Sequence, residues 1–343
     1  MKTSSIGAVS LLAAFALGPG IGAAGQTDSP AAPGFHHLHL NSMNPEAAIA
    51  FYTKAFPSTS KSAWHGVPAL RSPNNVLMLF TRVDQPPATQ PQTAFWHFGW
   101  HVTGERAAMT KLRADGVTLL PLYTTGESGT VNINSDTWPG TGGVLGLTRA
   151  QIEEAKQNNV KPAGGPGFAY IRGPDDALIE VQGDMPAERF NHVHMYQDDP
   201  FCAQLWYQKH LNAAVAQGRR GAGEPRTETN CKVPRGPDKT WPALEVDGMY
   251  RTPSAGVTFG DVAMNWYMRQ GDRPLVSTRG HLVDHVALGV AGLDRWIAKL
   301  RAEGVQMLEG PYTIGDARAI MIEGPSREAL ELVETQAAPL PGK

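Results

Sequence analysis

Lys111-Leu-Arg-Ala-Asp-Gly-Val117 and Lys299-Leu-Arg-Ala-Glu-Gly-Val305 differ at one position in seven, and each begins fourteen residues after a histidine, His97 or His285. The repetition continues outward. Gly173-Pro174 leads to Glu180 and Gly324-Pro325 to Glu331, seven residues from glycine to glutamate in both cases. Upstream, fourteen residues separate His37 from Phe51-Tyr52 and His192 from Trp206-Tyr207. Each half thus carries His, His and Glu in one order: His37, His97 and Glu180, then His192, His285 and Glu331. An internal repeat of this kind fixes the architecture before any single motif is interpreted.

A chain of 343 residues with 41% apolar content buries a substantial core and has room for two domains. The net charge of -2 points to neither a polyanionic partner nor an anionic membrane surface. The basic stretch 219–239 is broken by Glu224, Glu228 and Asp238 and lacks interleaved aromatics, so it reads as a solvated loop rather than a nucleic-acid surface. Residues 1–25 have the pattern of an export signal: Lys2, an apolar run from Ile6 to Leu17, then Gly22-Ala-Ala-Gly25. The run is shorter than the roughly 20 residues of a membrane span. The expected product is an exported protein, periplasmic or extracellular, with no membrane attachment after signal removal. Cys202 and Cys231 are the only cysteines; their count excludes a zinc-thiolate site, and they read equally as a disulfide or as two buried thiols.

Each quarter of the chain opens on a strand-like run, at 35–40, 93–102, 190–196 and 282–290, and continues into a helix-like segment. Asn44-Pro45-Glu46 is a helix start, with a capping residue and a first-turn proline. Gly116 and Gly304 close the helices at 105–115 and 293–303. Residues 126–167 form an insertion in the first half, read either as a lid or as a surface elaboration. The organisation is therefore a signal at 1–25, a tail at 26–34, a first domain at 35–183, a linker at 184–188, a second domain at 189–334 and a tail at 335–343.

Residues two apart on a strand share a face, which aligns His37 with His39, His97 with His101, and His192 with His194 and Tyr196. Two imidazoles and a carboxylate make a three-point ligand set for a divalent ion, with positions left for water or substrate. The expected metal ligands are His37, His97 and Glu180 in the first half and His192, His285 and Glu331 in the second. His39 and His101 are candidates for general acid or base, or for packing beside the ligands.

These features resemble the vicinal oxygen chelate superfamily, which includes glyoxalase I, fosfomycin-resistance proteins, methylmalonyl-CoA epimerases and extradiol dioxygenases. The resemblance is carried by His37 with Asn44-Pro45 and Phe51-Tyr52, by His97 with the helix end at 111–117, and by Tyr170-Ile-Arg-Gly-Pro-Asp-Asp-Ala-Leu-Ile-Glu180. In the second half it rests on His192, His285 and Glu331. It implies an α+β fold of four βαβββ modules paired into two open-barrel, cup-shaped domains around a divalent metal ion such as Zn, Mn, Ni or Fe. Tyr170 then either bonds a substrate oxyanion or fills the cup. The stretch Val76-Leu-Met-Leu-Phe80 lacks the extra glutamate of glyoxalase I, and Ala163-Gly-Gly-Pro-Gly-Phe168 lacks the histidine of extradiol dioxygenases. The resemblance implies a metal-dependent lyase or isomerase acting on a small vicinally oxygenated molecule. An extradiol-type iron dioxygenase and a non-catalytic small-molecule binding protein are the alternatives. Modules of this superfamily pair within or between chains, so a homodimer is one arrangement it allows.

Overall fold

The computed structural model describes residues 30–120, 123–125, 131–133, 144–147, 154, 157–158, 168–183, 185–215, 226–232, 249–250, 254–269 and 274–335. The expected export signal, much of the 126–167 insertion, most of the 219–239 loop and the tail after Thr335 lie outside the described residues.

The expected βαβββ unit appears first as β1 (Gly34–Ser42), α1 (Pro45–Ala55), β2 (Ser60–Trp64), β3 (Val67–Arg71) and β4 (Leu77–Arg82). The second unit comprises β5 (Phe95–His101), α2 (Glu105–Ala114), β6 (Leu119–Leu120), β10 (Phe168–Arg172) and β11 (Leu178–Gln182). It is interrupted by β7 (Tyr123–Thr125), β8 (Val131–Ile133) and β9 (Val144–Leu147). The third has β12 (Arg189–Gln197), α3 (Pro200–Leu211), β13 (Ala214–Val215), β15 (Ser254–Phe259) and β16 (Val262–Met268), with β14 (Met249–Tyr250) set apart. The fourth has β17 (Val283–Val290), α4 (Leu293–Ala302), β18 (Met307–Ile314), β19 (Ala317–Glu323) and β20 (Ala329–Glu334).

The modules do not pair in the order the sequence suggests. One eight-stranded sheet runs β18-β19-β20-β17-β1-β4-β3-β2, joining the first module to the last. The other runs β13-β15-β16-β12-β5-β11-β10-β6, joining the two middle modules. Both seams are antiparallel pairings of opening strands, β1 with β17 and β5 with β12. The expected division into 35–183 and 189–334 is therefore crossed by both sheets, and 184–188 is a connection inside the middle sheet. The reason is that matched motifs show which modules are alike, whereas pairing is decided by which edges meet in space. The insertion strands form a third sheet, β14-β7-β8-β9, which ties the second module to the third.

Helices couple sequence neighbours instead, and the repeated heptapeptide makes that coupling. Lys111 Nζ donates to the carbonyl of Lys54 at the end of α1, at 2.7 Å, and bonds Asp115 four residues on. Lys299 Nζ donates to the carbonyls of Lys209 and His210 at the end of α3, at 2.8 and 3.0 Å, and bonds Glu303. A cation placed on exposed C-terminal carbonyls meets the negative end of the helix dipole. Gly116 and Gly304 have φ of +79° and +73°, the left-handed turn that lets Val117 and Val305 bond back to Leu112 and Leu300. At the other end of α1, the Asn44 side chain accepts from the Ala47 amide, as the sequence predicts.

Strand alternation divides the opening strands between two environments. Leu38, Leu40, Phe98, Trp100, Val193, Met195, Val286 and Leu288 enter one continuous apolar core shared by the two sheets. Within it Trp100 stacks on Phe56 at 4.3 Å and Tyr207 stacks on Trp266 at 4.9 Å, so helices of the first and third modules pack on strands of the middle sheet. The alternate positions on those strands are the histidines. The fold keeps one face of each sheet apolar and concentrates imidazole on the other.

Candidate metal centre

The regrouped modules regroup the site residues. In the outer sheet, formed by the first and last modules, His37 on β1 meets His285 on β17 and Glu331 on β20. His37 Nε2 is 3.3 Å and His285 Nε2 is 3.8 Å from Glu331 Oε2. In the middle sheet His192 on β12 meets His97 on β5 and Glu180 on β11. Glu180 Oε2 lies 2.9 Å from His97 Nε2 and 3.7 Å from His192 Nε2. All six expected ligands thus fall into two His-His-Glu groups, but His37 and His192 exchange places relative to the sequence grouping. Register sets the exchange: β1 pairs with β17 and β12 with β5, so each opening histidine faces the partner of its own sheet.

A third histidine joins each group. The donor atoms of His97, His192, His194 and Glu180 all lie within 4.8 Å of one another, as do those of His37, His39 and His285. His194 Nδ1 is 3.6 Å from Glu180 Oε2. The His39 and His285 rings are 4.5 Å apart, as are those of His97 and His194. His194 is the ligand-type residue that the expected set lacks; its position two residues from His192 on one strand is the signal that finds it.

His37 Nε2, His285 Nε2 and Glu331 Oε2 are buried and have no hydrogen-bond partner, and neither has His192 Nε2. Buried polar atoms are almost always paired, so three orphans aimed at one point call for a shared partner. Ligand bonds of about 2.0–2.2 Å place donor atoms about 3–3.5 Å apart, near the separations found here. The orphan atoms are closed off from water, but a bare cation is smaller. Their outer atoms are meanwhile satisfied: His285 Nδ1 contacts Asp284 at 2.6 Å, and Tyr312 Oη donates to Glu331 Oε1 at 2.6 Å. The donor set fits a divalent ion.

Backbone space supports the same centre. A Cβ at Gly99 would lie 2.3 Å from His192 Cε1 and 2.9 Å from the Glu180 carbonyl oxygen. Glycine at that position, opposite His192 in register, leaves room for the imidazole; the outer sheet has Ala287 opposite His37.

The charges within each group are strongly coupled. Burial works to raise the Glu180 carboxyl, but His192, His97 and His194 outweigh it and hold the group well below the usual carboxylate range. Glu331 behaves alike: burial opposes ionisation, and His285 and Tyr312 reverse it. His285 is pushed up, since Asp284 and Glu331 outweigh its burial, while burial and the neighbouring histidines push His37 well down.

The candidate acid-base residues are placed differently from expectation. His39 joins the outer group, bonded through Nε2 to Thr81 Oγ1 at 2.7 Å. Burial and the nearby His285 lower it to about 3, away from the neutral titration expected of it. His101 joins neither group: it is tied to Gln182 Oε1 at 3.1 Å and to Asn191 at 2.6 Å, and burial lowers it to about 4. It shares the face of His97, but four strand residues carry it beyond the carboxylate. Tyr170 is buried beside the middle group, its ring 5.1 Å from that of His97.

No family model matches the chain, and no curated protein matches its sequence. Solved structures do share its fold. Glyoxalase I from Zea mays superposes with a TM-score of 0.57 at 13% identity, covering 88% of this chain and 92% of that one. A single-substitution mutant of the same maize protein gives 0.56 at 14% identity over 88% and 92%. The architecture is an α+β fold of four βαβββ modules shared with maize glyoxalase I, the fold that the sequence resemblance implied.

Proposed function

We propose that this chain is an exported, divalent-metal-dependent enzyme of glyoxalase-like lyase or isomerase type acting on a small vicinally oxygenated substrate. The observation that carries the reading is the convergence of buried His37 Nε2, His285 Nε2 and Glu331 Oε2, which face one another without a hydrogen bond. His37, His285 and Glu331, with His39 beside them, would hold one ion; His97, His192, His194 and Glu180 would hold another. A bound divalent ion supplies Lewis-acid stabilisation of developing negative charge on a chelated oxygen. The protein's own residues hold that arrangement: Tyr312 fixes Glu331, Thr81 fixes His39, and Trp64 packs beside His37 with ring centroids 5.4 Å apart. Burial and the nearby His285 keep His39 uncharged at neutral pH, the form in which an imidazole can ligate a metal ion. Tyr170, beside His97, offers a hydroxyl to a substrate oxygen in the middle group.

Export is supported by the amino-terminal pattern and by the Cys202–Cys231 disulfide, which fastens α3 to the segment around Cys231 and belongs to an oxidising compartment. Two imidazoles and one carboxylate are also the set used by oxygen-activating iron, which keeps the dioxygenase as the second reading. Metal analysis of the purified full-length chain separates them. Zinc, manganese or nickel with turnover of vicinal dicarbonyl adducts supports the proposal. Iron with oxygen uptake replaces it with the dioxygenase, and a chain that takes up no metal overturns both in favour of a binding protein.

A further inference from the structure

We infer that Asp284 is a positioning residue that fixes His285 as a ligand in the outer centre, a support that Trp96, the equivalent bulge residue of the middle sheet, cannot give. The inference rests on the metal reading above.

The two sheets carry the same irregularity at the same place. Along the outer seam the register passes from His39↔His285 to Leu40↔Val283, leaving Asp284 as the extra residue of a bulge. Along the middle seam it passes from His194↔His97 to Met195↔Phe95, leaving Trp96. A bulge re-aims the side chain that plain alternation would send to the opposite face. In the middle sheet it lays the Trp96 ring against His97, with centroids 4.1 Å apart. In the outer sheet it brings Asp284 Oδ1 to 2.6 Å from His285 Nδ1.

Asp284 is itself clamped. Its Oδ1 accepts from Arg279 Nη1 at 2.6 Å, its Oδ2 accepts from the Gly280 amide at 2.7 Å, and its carbonyl accepts from Thr278 Oγ1 at 2.7 Å. Arg279 in turn donates to Glu309 at 2.7 Å. Asp284 is thus held in place as a carboxylate that accepts a hydrogen bond from His285 Nδ1–H. Nε2 is thereby left with its lone pair facing Glu331. A carboxylate behind a ligating histidine fixes the tautomer, orients the ring and raises its basicity, typically worth about 10- to 100-fold in metal affinity. Trp96 has no carboxylate to offer.

The test is a zinc titration of the full-length chain against a chromophoric chelator, in the wild type and in Glu180→Gln, which leaves the outer centre alone. Asp284→Asn in the Glu180→Gln background should weaken zinc about 10- to 100-fold. In the wild-type background it should weaken one of two sites and leave the other unchanged. Asp284→Glu should recover most of the affinity, and the cobalt-loaded outer centre should change its absorption spectrum in Asp284→Asn. Unchanged zinc affinity and an unchanged cobalt spectrum in Asp284→Asn, with a lowered melting temperature, would make Asp284 a loop anchor and sink this inference alone. A wild-type chain without zinc affinity would sink the metal reading with it.

Discussion

The outer and middle centres are built from the same four strand positions, yet different neighbours hold them. In the outer centre the ligand shell is supported from behind by hydrogen bonds, through Asp284 to His285 and Tyr312 to Glu331. The middle centre is enclosed by aromatic rings: Trp96 against His97, and Trp96 and Tyr267 against His194. Duplication has preserved the ligand scaffold and allowed its surroundings to diverge. The repeat of donor types is therefore the ground for proposing two ion sites, but not two equal ones.

The sharpest break of this comparison comes from the carboxylates. Glu331→Gln and Glu180→Gln should each reduce bound metal from two ions per chain to one, with more than about 100-fold weaker binding at the altered centre, measured by elemental analysis and competition titration. If either variant loses both ions, the centres are not independent. The disulfide offers the next largest effect, because it tethers α3 of the middle sheet while α1 has no such link. Cys202→Ser should cost about 3 kcal/mol in denaturant unfolding, as expected for a crosslink between cysteines 29 residues apart.

Smaller effects follow from the position opposite each opening histidine. Gly99→Ala should cost about 1–3 kcal/mol and perturb the middle centre, because the new methyl meets His192 and backbone. Ala287→Gly should cost about 0.5–1 kcal/mol and leave metal binding in the outer sheet intact. Equal effects on metal binding would remove the assigned role of Gly99. A separate effect, spread over a pH range, is read from titration. In the metal-free chain His39 and His101 have folded pKa values near 3 and 4, below the ordinary 6.5 they regain on unfolding. The unfolded chain thus binds more protons below pH 6.5, and stability falls as pH falls. Each contributes up to about 1.4 kcal/mol per pH unit, less for the more exposed His101. His39→Asn should flatten the acid side of the stability profile more than His101→Asn does, as measured by urea titrations between pH 6.5 and 4.5.

The module, its helix caps and the residues that converge in each group were legible from the sequence, because each leaves a local mark: a capping Asn44, a closing Gly116, histidines at a spacing of two. Module pairing was not legible. Equal spacing of His37 and His192 from their helices shows that the strands are alike, and says nothing about which neighbouring edge each one meets. The histidine-to-glutamate grouping failed with it. Asp284 and Trp96 were hidden for a different reason: alternation assigns them to the face away from their histidines, and only a bulge, which has no residue signature here, turns them back. His101 misled because sharing a face is not sharing a point, and a strand rises about 3.3 Å per residue.

The closure of the first module on the last also constrains how the molecule is made. The middle sheet is complete once residue 268 has emerged, whereas β1 waits for β17 through more than half the chain's synthesis. Until then it is an unsatisfied strand edge, open to wrong partners. Circular permutation that joins the ends and opens the chain at 184–188 would reverse this schedule, maturing the outer sheet first and leaving the middle one to close last.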